Sequence, residues 1–153
     1  MRMTKYLIFK VKNQMLGIKS NQLVNIVKNV KVQQEEEKPL STIEIWGTSI
    51  PIINLHQLLF QQNLTEKANV LLVEVGTEEK KKDVLGITFD EITELTILDD
   101  LLSYPFQFQP SSHKSYKEVV VNYKGTPLTI LNIPHLRKLS QGSHIFPTIY
   151  LAN

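Results

Sequence analysis

Four histidines, His56, His113, His135 and His144, are the residues of this 153-residue chain best suited to moving a proton or holding a metal. There is no cysteine, so neither a disulfide framework nor a thiolate metal site is available, and a reducing compartment is the natural setting. The chain has no HExxH, no GxSxG and no phosphate-cradling glycine loop; six glycines in all leave little room for one. His56 and His135 occupy neighbouring positions of two similar segments, which predicts exposed helix positions rather than a ligand pair. Asp90, Glu91 and Glu94 cluster on a predicted strand edge, with no base or nucleophile beside them in sequence. Glu35–Glu37 and Lys80–Lys82 are like-charge runs of the kind that loops turn to water. Neither an enzyme, a metal nor a cofactor is indicated.

The single tryptophan, Trp46, is the remaining residue with chemistry to spend on a partner, because large aromatics dominate interface energetics when exposed. The expectation for a lone tryptophan is nonetheless a core or inter-barrel packing role. It sits in the stretch Ile43–Phe60, where Ile43 and Ile45 alternate with Glu44 and Trp46 before a turn at Gly47-Thr48. A second apolar run follows from Ile50 to Ile53, and Asn54 then caps a short helix with Leu55, Leu58 and Leu59 on one side. Pro51 has no amide proton, so an edge, a bulge or a strand end is expected near it.

This unit recurs. Gly125 precedes Thr126 as Gly47 precedes Thr48, and each glycine lies seven residues before an asparagine, Asn54 or Asn132. In the same register Ile52 matches Ile130, Ile53 matches Leu131, Leu55 matches Ile133 and Leu58 matches Leu136. Two related half-domains explain the agreement; the copies are too far apart for a solenoid.

Apolar residues make up 42% of the chain and charged residues 21%, enough for a real core, and the net charge of +2 is too slight to imply nucleic acid or membrane by itself. The N-terminal apolar run, Tyr6–Phe9, is too short for a signal peptide or a membrane helix, so the expected location is cytoplasmic, without membrane insertion. Lys5–Val11, Met15–Ile18, Gln22–Val32, Asn69–Val75, Val84–Phe89, Ile92–Leu98 and Tyr116–Tyr123 read as further strands, and Val24, Ile26, Val30 and Val32 share one parity. Gly86 fits a bulge or bend, Asp99–Lys114 an irregular loop, and Ile145–Leu151 a last strand. Short strands, frequent turns and two or three short helices describe an all-β protein of barrel type.

A strand-turn-strand ending in Gly47, Ile50, Pro51, Ile52, Ile53, Asn54 and Leu55 resembles the CheW-like domain of bacterial chemosensory systems. VLLVEV and LGITFDEITELTIL, with Gly86, Asp90 and Ile92, resemble that family's paired strands; TPLTILNIPHL resembles its closing strand and helix, and YLIFKVKNQMLGI with LVNIV its opening strands. The resemblance spans about residues 5–139 and implies two packed, intertwined five-stranded SH3-like barrels forming one domain over 1–153. Residues 20–66 and 67–139 form the approximate subdomains, completed by the N-terminal strands and the C-terminal tail. It implies a non-enzymatic adaptor coupling a chemoreceptor to a histidine kinase. In this family one barrel docks on the regulatory domain of a CheA-type kinase, while the receptor's cytoplasmic tip packs between barrels. Here Glu44, Ile45, Trp46, Gly47 replace the family's usual N-L-R-G. The arginine, which in the family pairs with a glutamate on the opening strands, has become Trp46, and Asn25 aligns with that glutamate. Asn25, Glu44, Trp46 and Gly47 are therefore the expected partner-binding residues of a divergent member, from a motility or pilus-type array. The competing reading is a barrel that binds single-stranded nucleic acid, stacking bases on Tyr6, Phe9, Tyr116 and Tyr123; the weak net charge counts against it.

Overall fold

Tyr6–Phe9 and Val70–Val73 are apolar at every position, and strands of that composition must be covered on both faces. The computed structural model, which describes residues 3–34, 41–62, 66–75, 83–99 and 117–142, shows how this is met. In the first half, β1 (Met3–Val11), β2 (Gln14–Lys19), β3 (Leu23–Lys31), β4 (Gln33–Gln34), β5 (Ser41–Ile45) and β6 (Thr48–Ile53) lead to α1 (Leu55–Phe60). In the second, β7 (Lys67–Val75), β8 (Asp83–Phe89), β9 (Glu91–Asp99), β10 (Lys117–Tyr123) and β11 (Thr126–Leu131) lead to α2 (Ile133–Gly142). The result is an all-β protein of two curled sheets. One runs β10-β11-β2-β1-β9 and the other β3-β7-β8-β6-β5-β4.

Each sheet draws on both halves of the chain. The first barrel joins β1 and β2 to β9, β10 and β11; the second joins β3 to β6 with β7 and β8. The sheets therefore do not follow a division at residues 20–66 and 67–139. The repeat is genuine in its local units, yet its copies exchange hairpins. β6 pairs in parallel with β8 and β11 in parallel with β2, putting Ile52 opposite Gly86 and Ile130 opposite Gly17.

Alternation along each strand then fills three cores. Tyr6, Ile8, Val121, Leu128 and Ile130 fill the first barrel, whereas Ile43, Ile50, Ile52, Val70 and Leu72 fill the second. The intervening residues of β1 and β7, among them Leu7, Phe9, Leu71 and Val73, meet Leu16, Leu85, Ile87 and Leu131 in a third core between the sheets. Ile52 and Ile130 are thus core residues of separate barrels, at 1% and 0% exposure. Gly86 and Gly17 mark the same seat in each: a Cβ on Gly86 would lie 2.5 Å from Ile52 Cγ2, and one on Gly17 2.8 Å from Ile130 Cδ1. What looked like a bulge at Gly86 is room for the facing strand.

Two expectations fail on backbone detail. The parity of Val24 with Ile26, Val30 and Val32 is broken, because the β3–β7 register shifts between Leu23 and Asn25 and again between Val27 and Val30. Each bulge reverses the faces, so Val24 is exposed, Leu23 and Ile26 face the central core, and Val27, Val30 and Val32 face the second barrel. Leu58 does not share the burial of Leu136, being 37% exposed while Leu136 is at 0%; α1 ends at Phe60, with Gln61 in left-handed backbone as its C-cap. Both helices are N-capped as expected, Asn54 accepting from the Gln57 amide at 3.1 Å and Asn132 from that of His135 at 3.0 Å. Glu35–Glu37, Lys80–Lys82, residues 100–116 and the tail Ile145–Leu151 lie outside the described residues, and so do His113 and His144.

Candidate functional site

The β5–β6 hairpin pairs Ile45 with Thr48, which leaves Trp46-Gly47 as a two-residue turn. Their φ angles are 52° and 80°, the left-handed pair of a type I′ turn, and Lys124-Gly125 repeats it at 52° and 82°. The turn is thus one residue earlier than expected at Gly47-Thr48. That shift overturns the packing role of Trp46. The side chain stands at the tip of the hairpin, 86% exposed. A type I′ turn favours Asn-Gly because few other side chains tolerate left-handed backbone; holding tryptophan there costs about 1–2 kcal/mol.

Of the other expected partner-binding residues, Glu44 is exposed on β5 opposite Ser49, in the same hairpin as Trp46 and Gly47. Asn25 is exposed on β3 opposite Leu72. In sheet order β7, β8 and β6 separate it from β5. Its side-chain oxygen accepts locally, from the Ile26 amide at 2.7 Å. The structure therefore groups Glu44, Trp46 and Gly47 on one hairpin and sets Asn25 on another strand.

The repeat exposes a counterpart that the sequence reading missed. Ile8 and Leu72 occupy matching seats in the two barrels; Ile8 pairs with Glu94, as Leu72 pairs with Asn25, and a bulge follows each. Glu94 is thus to the first barrel what Asn25 is to the second, and Lys124 is what Trp46 is. In the first barrel the two meet: Lys124 Nζ lies 3.3 Å from Glu94 Oε2, and the Tyr123 hydroxyl donates to the same oxygen. The Tyr123 hydrogen bond, aided by Lys124, holds the Glu94 carboxyl below its ordinary pKa, and Glu94 in turn raises those of Tyr123 and Lys124. The signal was present in the matched turns, since Lys124 precedes Gly125 as Trp46 precedes Gly47.

His56 is not the exposed helix residue that its spacing predicted. It is 9% exposed. Its Nδ1 lies 3.1 Å from Thr88 Oγ1 and its Nε2 2.9 Å from Asp90 Oδ1, on residues more than thirty positions away. His135 is half-buried, and burial, with Lys138 nearby, lowers its pKa. The hydroxyl, imidazole and carboxylate of Thr88, His56 and Asp90 form the chain of contacts that a nucleophile would need. Thr88 is nevertheless fully buried and already accepts from the Leu55 amide at 2.9 Å, so its oxygen cannot meet a substrate. The cluster is architectural. Among the described residues no group of three or more histidine or acidic side chains is placed to hold a metal ion, and no helix is long and apolar enough to cross a membrane.

The nucleic-acid reading also loses its stacking surface. Tyr6, Phe9 and Tyr123 are 1%, 0% and 7% exposed, so their ring faces serve cores rather than bases; Tyr116 lies outside the described residues.

The CheW-like domain model matches residues 5–140. Among solved structures, the chain is similar to the crystal structure of the scaffolding protein TtCheW from Thermoanaerobacter tengcongensis, with a TM-score of 0.71 and 18% identity over 89% of this chain and 88% of that one. Comparison with curated proteins finds no match.

Proposed function

Because this chain belongs to the CheW-like domain family, we propose that it is a cytoplasmic, non-enzymatic adaptor joining a CheA-type histidine kinase to a chemoreceptor. Members of this family are scaffolds of chemotaxis signalling, and a scaffold acts through what it leaves uncovered. The observation that carries the reading is Trp46, a large aromatic held at 86% exposure in strained backbone at a hairpin tip. An exposed tryptophan is the side chain that contributes most when an interface covers it. Glu44 and Gly47 accompany it on the hairpin, and Asn25 contributes from β3. In this reading Trp46 replaces by apolar contact what an arginine elsewhere in the family does by charge.

The test is capture of the regulatory domain of the cognate kinase by the purified chain, with Trp46→Ala beside it. Binding weakened at least about tenfold, with the thermal midpoint unmoved, is the expected result for a hot-spot contact. Undiminished binding would remove the hairpin tip from the interface. Binding to the receptor's cytoplasmic tip, assayed the same way, decides whether one partner or both use this surface.

A further inference from the structure

The chain passes between the barrels twice, and the two passages are built differently. From β2 to β3 it uses a single 3-10 turn, Ser20–Gln22. From β8 to β9 it uses one residue, Asp90, and every polar group of Asp90 is engaged. Its amide donates to the Lys10 carbonyl at 2.8 Å, and its carbonyl accepts from Asn69 Nδ2 at 3.2 Å. One carboxylate oxygen accepts from the Lys12 amide, and the other meets His56 Nε2 at 2.9 Å. A single residue thus gathers the β1–β2 turn of one barrel, β7 of the other, and helix α1.

Asp90 reaches α1 through His56, whereas the Leu55 amide on Thr88 Oγ1 ties the helix to β8, and Lys12 Nζ lies 5.2 Å from the centre of the Phe60 ring at the helix end. In the repeat the position of His56 is taken by Pro134, which has no side-chain donor or acceptor, so the tie is not repeated at that position. We infer that His56 is a positioning residue, a clasp by which α1 fixes the Asp90 crossover and with it the angle between the two barrels. A ligand that shifts α1 is thereby felt at the β1–β2 turn of the opposite barrel, through Asp90 and the Lys12 amide. The clasp is a property of the chain itself and does not rest on the identity of its partners.

Native-state hydrogen exchange on the full chain separates this role from ordinary stabilisation. With His56→Ala, exchange should quicken about tenfold or more at Asp90 and Lys12, across the crossover, while the core amides of Ile8 and Leu72 keep their rates. Thr88→Val removes the Leu55 tie and the Thr88 contact of His56 Nδ1 but leaves Nε2 on Asp90, so it should quicken Leu55 most and Lys12 and Asp90 far less than His56→Ala does. Spin labels at Thr93 on β9 and Lys28 on β3 supply the second readout: the distance distribution between them should broaden in His56→Ala and not in Thr88→Val. Should His56→Ala fail to fold, Asp90→Asn is expected to give the same pattern, since its single amide oxygen cannot serve both the Lys12 amide and His56 Nε2 as the two carboxylate oxygens do. Quickening confined to α1, or spread evenly over all amides, or an unchanged distance distribution in the clasp variants, would overturn the proposal.

Discussion

The two barrels of this protein close their open edges by different means. In the second, β4 continues from β3 and pairs with β5, Gln33 opposite Thr42 and Gln34 opposite Ser41, so a backbone ladder brings the edges together. In the first, β9 and β10 are the two edges of the sheet, and side chains span them: Tyr123 and Lys124 on Glu94. The same two seats in the second barrel hold Asn25 and Trp46. Where the backbone does the closing, the seats that elsewhere hold an ion pair are relieved of that duty. In the proposed function these freed seats serve recognition, with Trp46 exposed at the hairpin tip.

The comparison rests first on the two barrels having separate, equally complete cores. Ile52→Ala and Ile130→Ala should each cost about 2–5 kcal/mol in chemical denaturation. A loss below about 1 kcal/mol at either would show that its barrel is not packed as described. Gly86→Ala should be the next most damaging, at about 1–3 kcal/mol. A new Cβ there meets Ile52 Cγ2 at 2.5 Å and Val70 Cγ1 at 2.7 Å, whereas at Gly17 the closest atom is the more mobile Ile130 Cδ1 at 2.8 Å. Gly17→Ala should therefore be the milder of the pair, and the reverse order would break the equivalence of the two seats.

The closure itself has a pH signature. Glu94 has its folded pKa lowered from 4.5, so the unfolded chain binds its proton first as pH falls. The stability it contributes is complete above that value and fades as pH drops through it toward the folded pKa. Tyr123 has its pKa raised from 10.0, so its contribution is present below that value and is lost as pH climbs through the folded pKa. Tyr123→Phe should consequently lower the denaturation midpoint at neutral pH and approach wild type in acid. A pH-independent difference would mean that Tyr123 stabilises by packing alone. The smallest effect belongs to the proposed recognition seat: Trp46→Asn relieves left-handed strain and should raise stability by up to about 1 kcal/mol, while weakening partner capture. A fall in stability would return Trp46 to a structural role.

The matched units were readable because their signals are local. A glycine in a turn, the alternating residues after it and an asparagine at the helix start depend on neighbours within ten positions, and Gly47, Gly125, Asn54 and Asn132 all fall where the spacing puts them. Features set by distant contacts were not readable. His56 looks like an outward helix residue until Thr88 and Asp90 arrive from β8 and the crossover. The bulges near Asn25 and Asn29 turn one apolar parity into two, and the Asn29 bend is held by Asn69 Oδ1 accepting from its amide at 2.9 Å. Trp46 was misplaced by a single residue of turn register, which is enough to move a side chain from a sheet face to solvent. The expected partner surface was legible as a hairpin but not as an exposed one.

The exchange of hairpins has a consequence for the growing chain on the ribosome. Among the described residues, the second barrel has all its strands once Phe89 has emerged, but β1 and β2, made before them, wait for β9, β10 and β11 and are not enclosed until Leu131. At about 5–20 residues per second the interval lasts seconds, during which Tyr6 and Ile8 present an uncovered apolar face to solvent. The earliest of the described strands are the last to be sheltered, and a chaperone that recognises nascent apolar strands would find its target at β1.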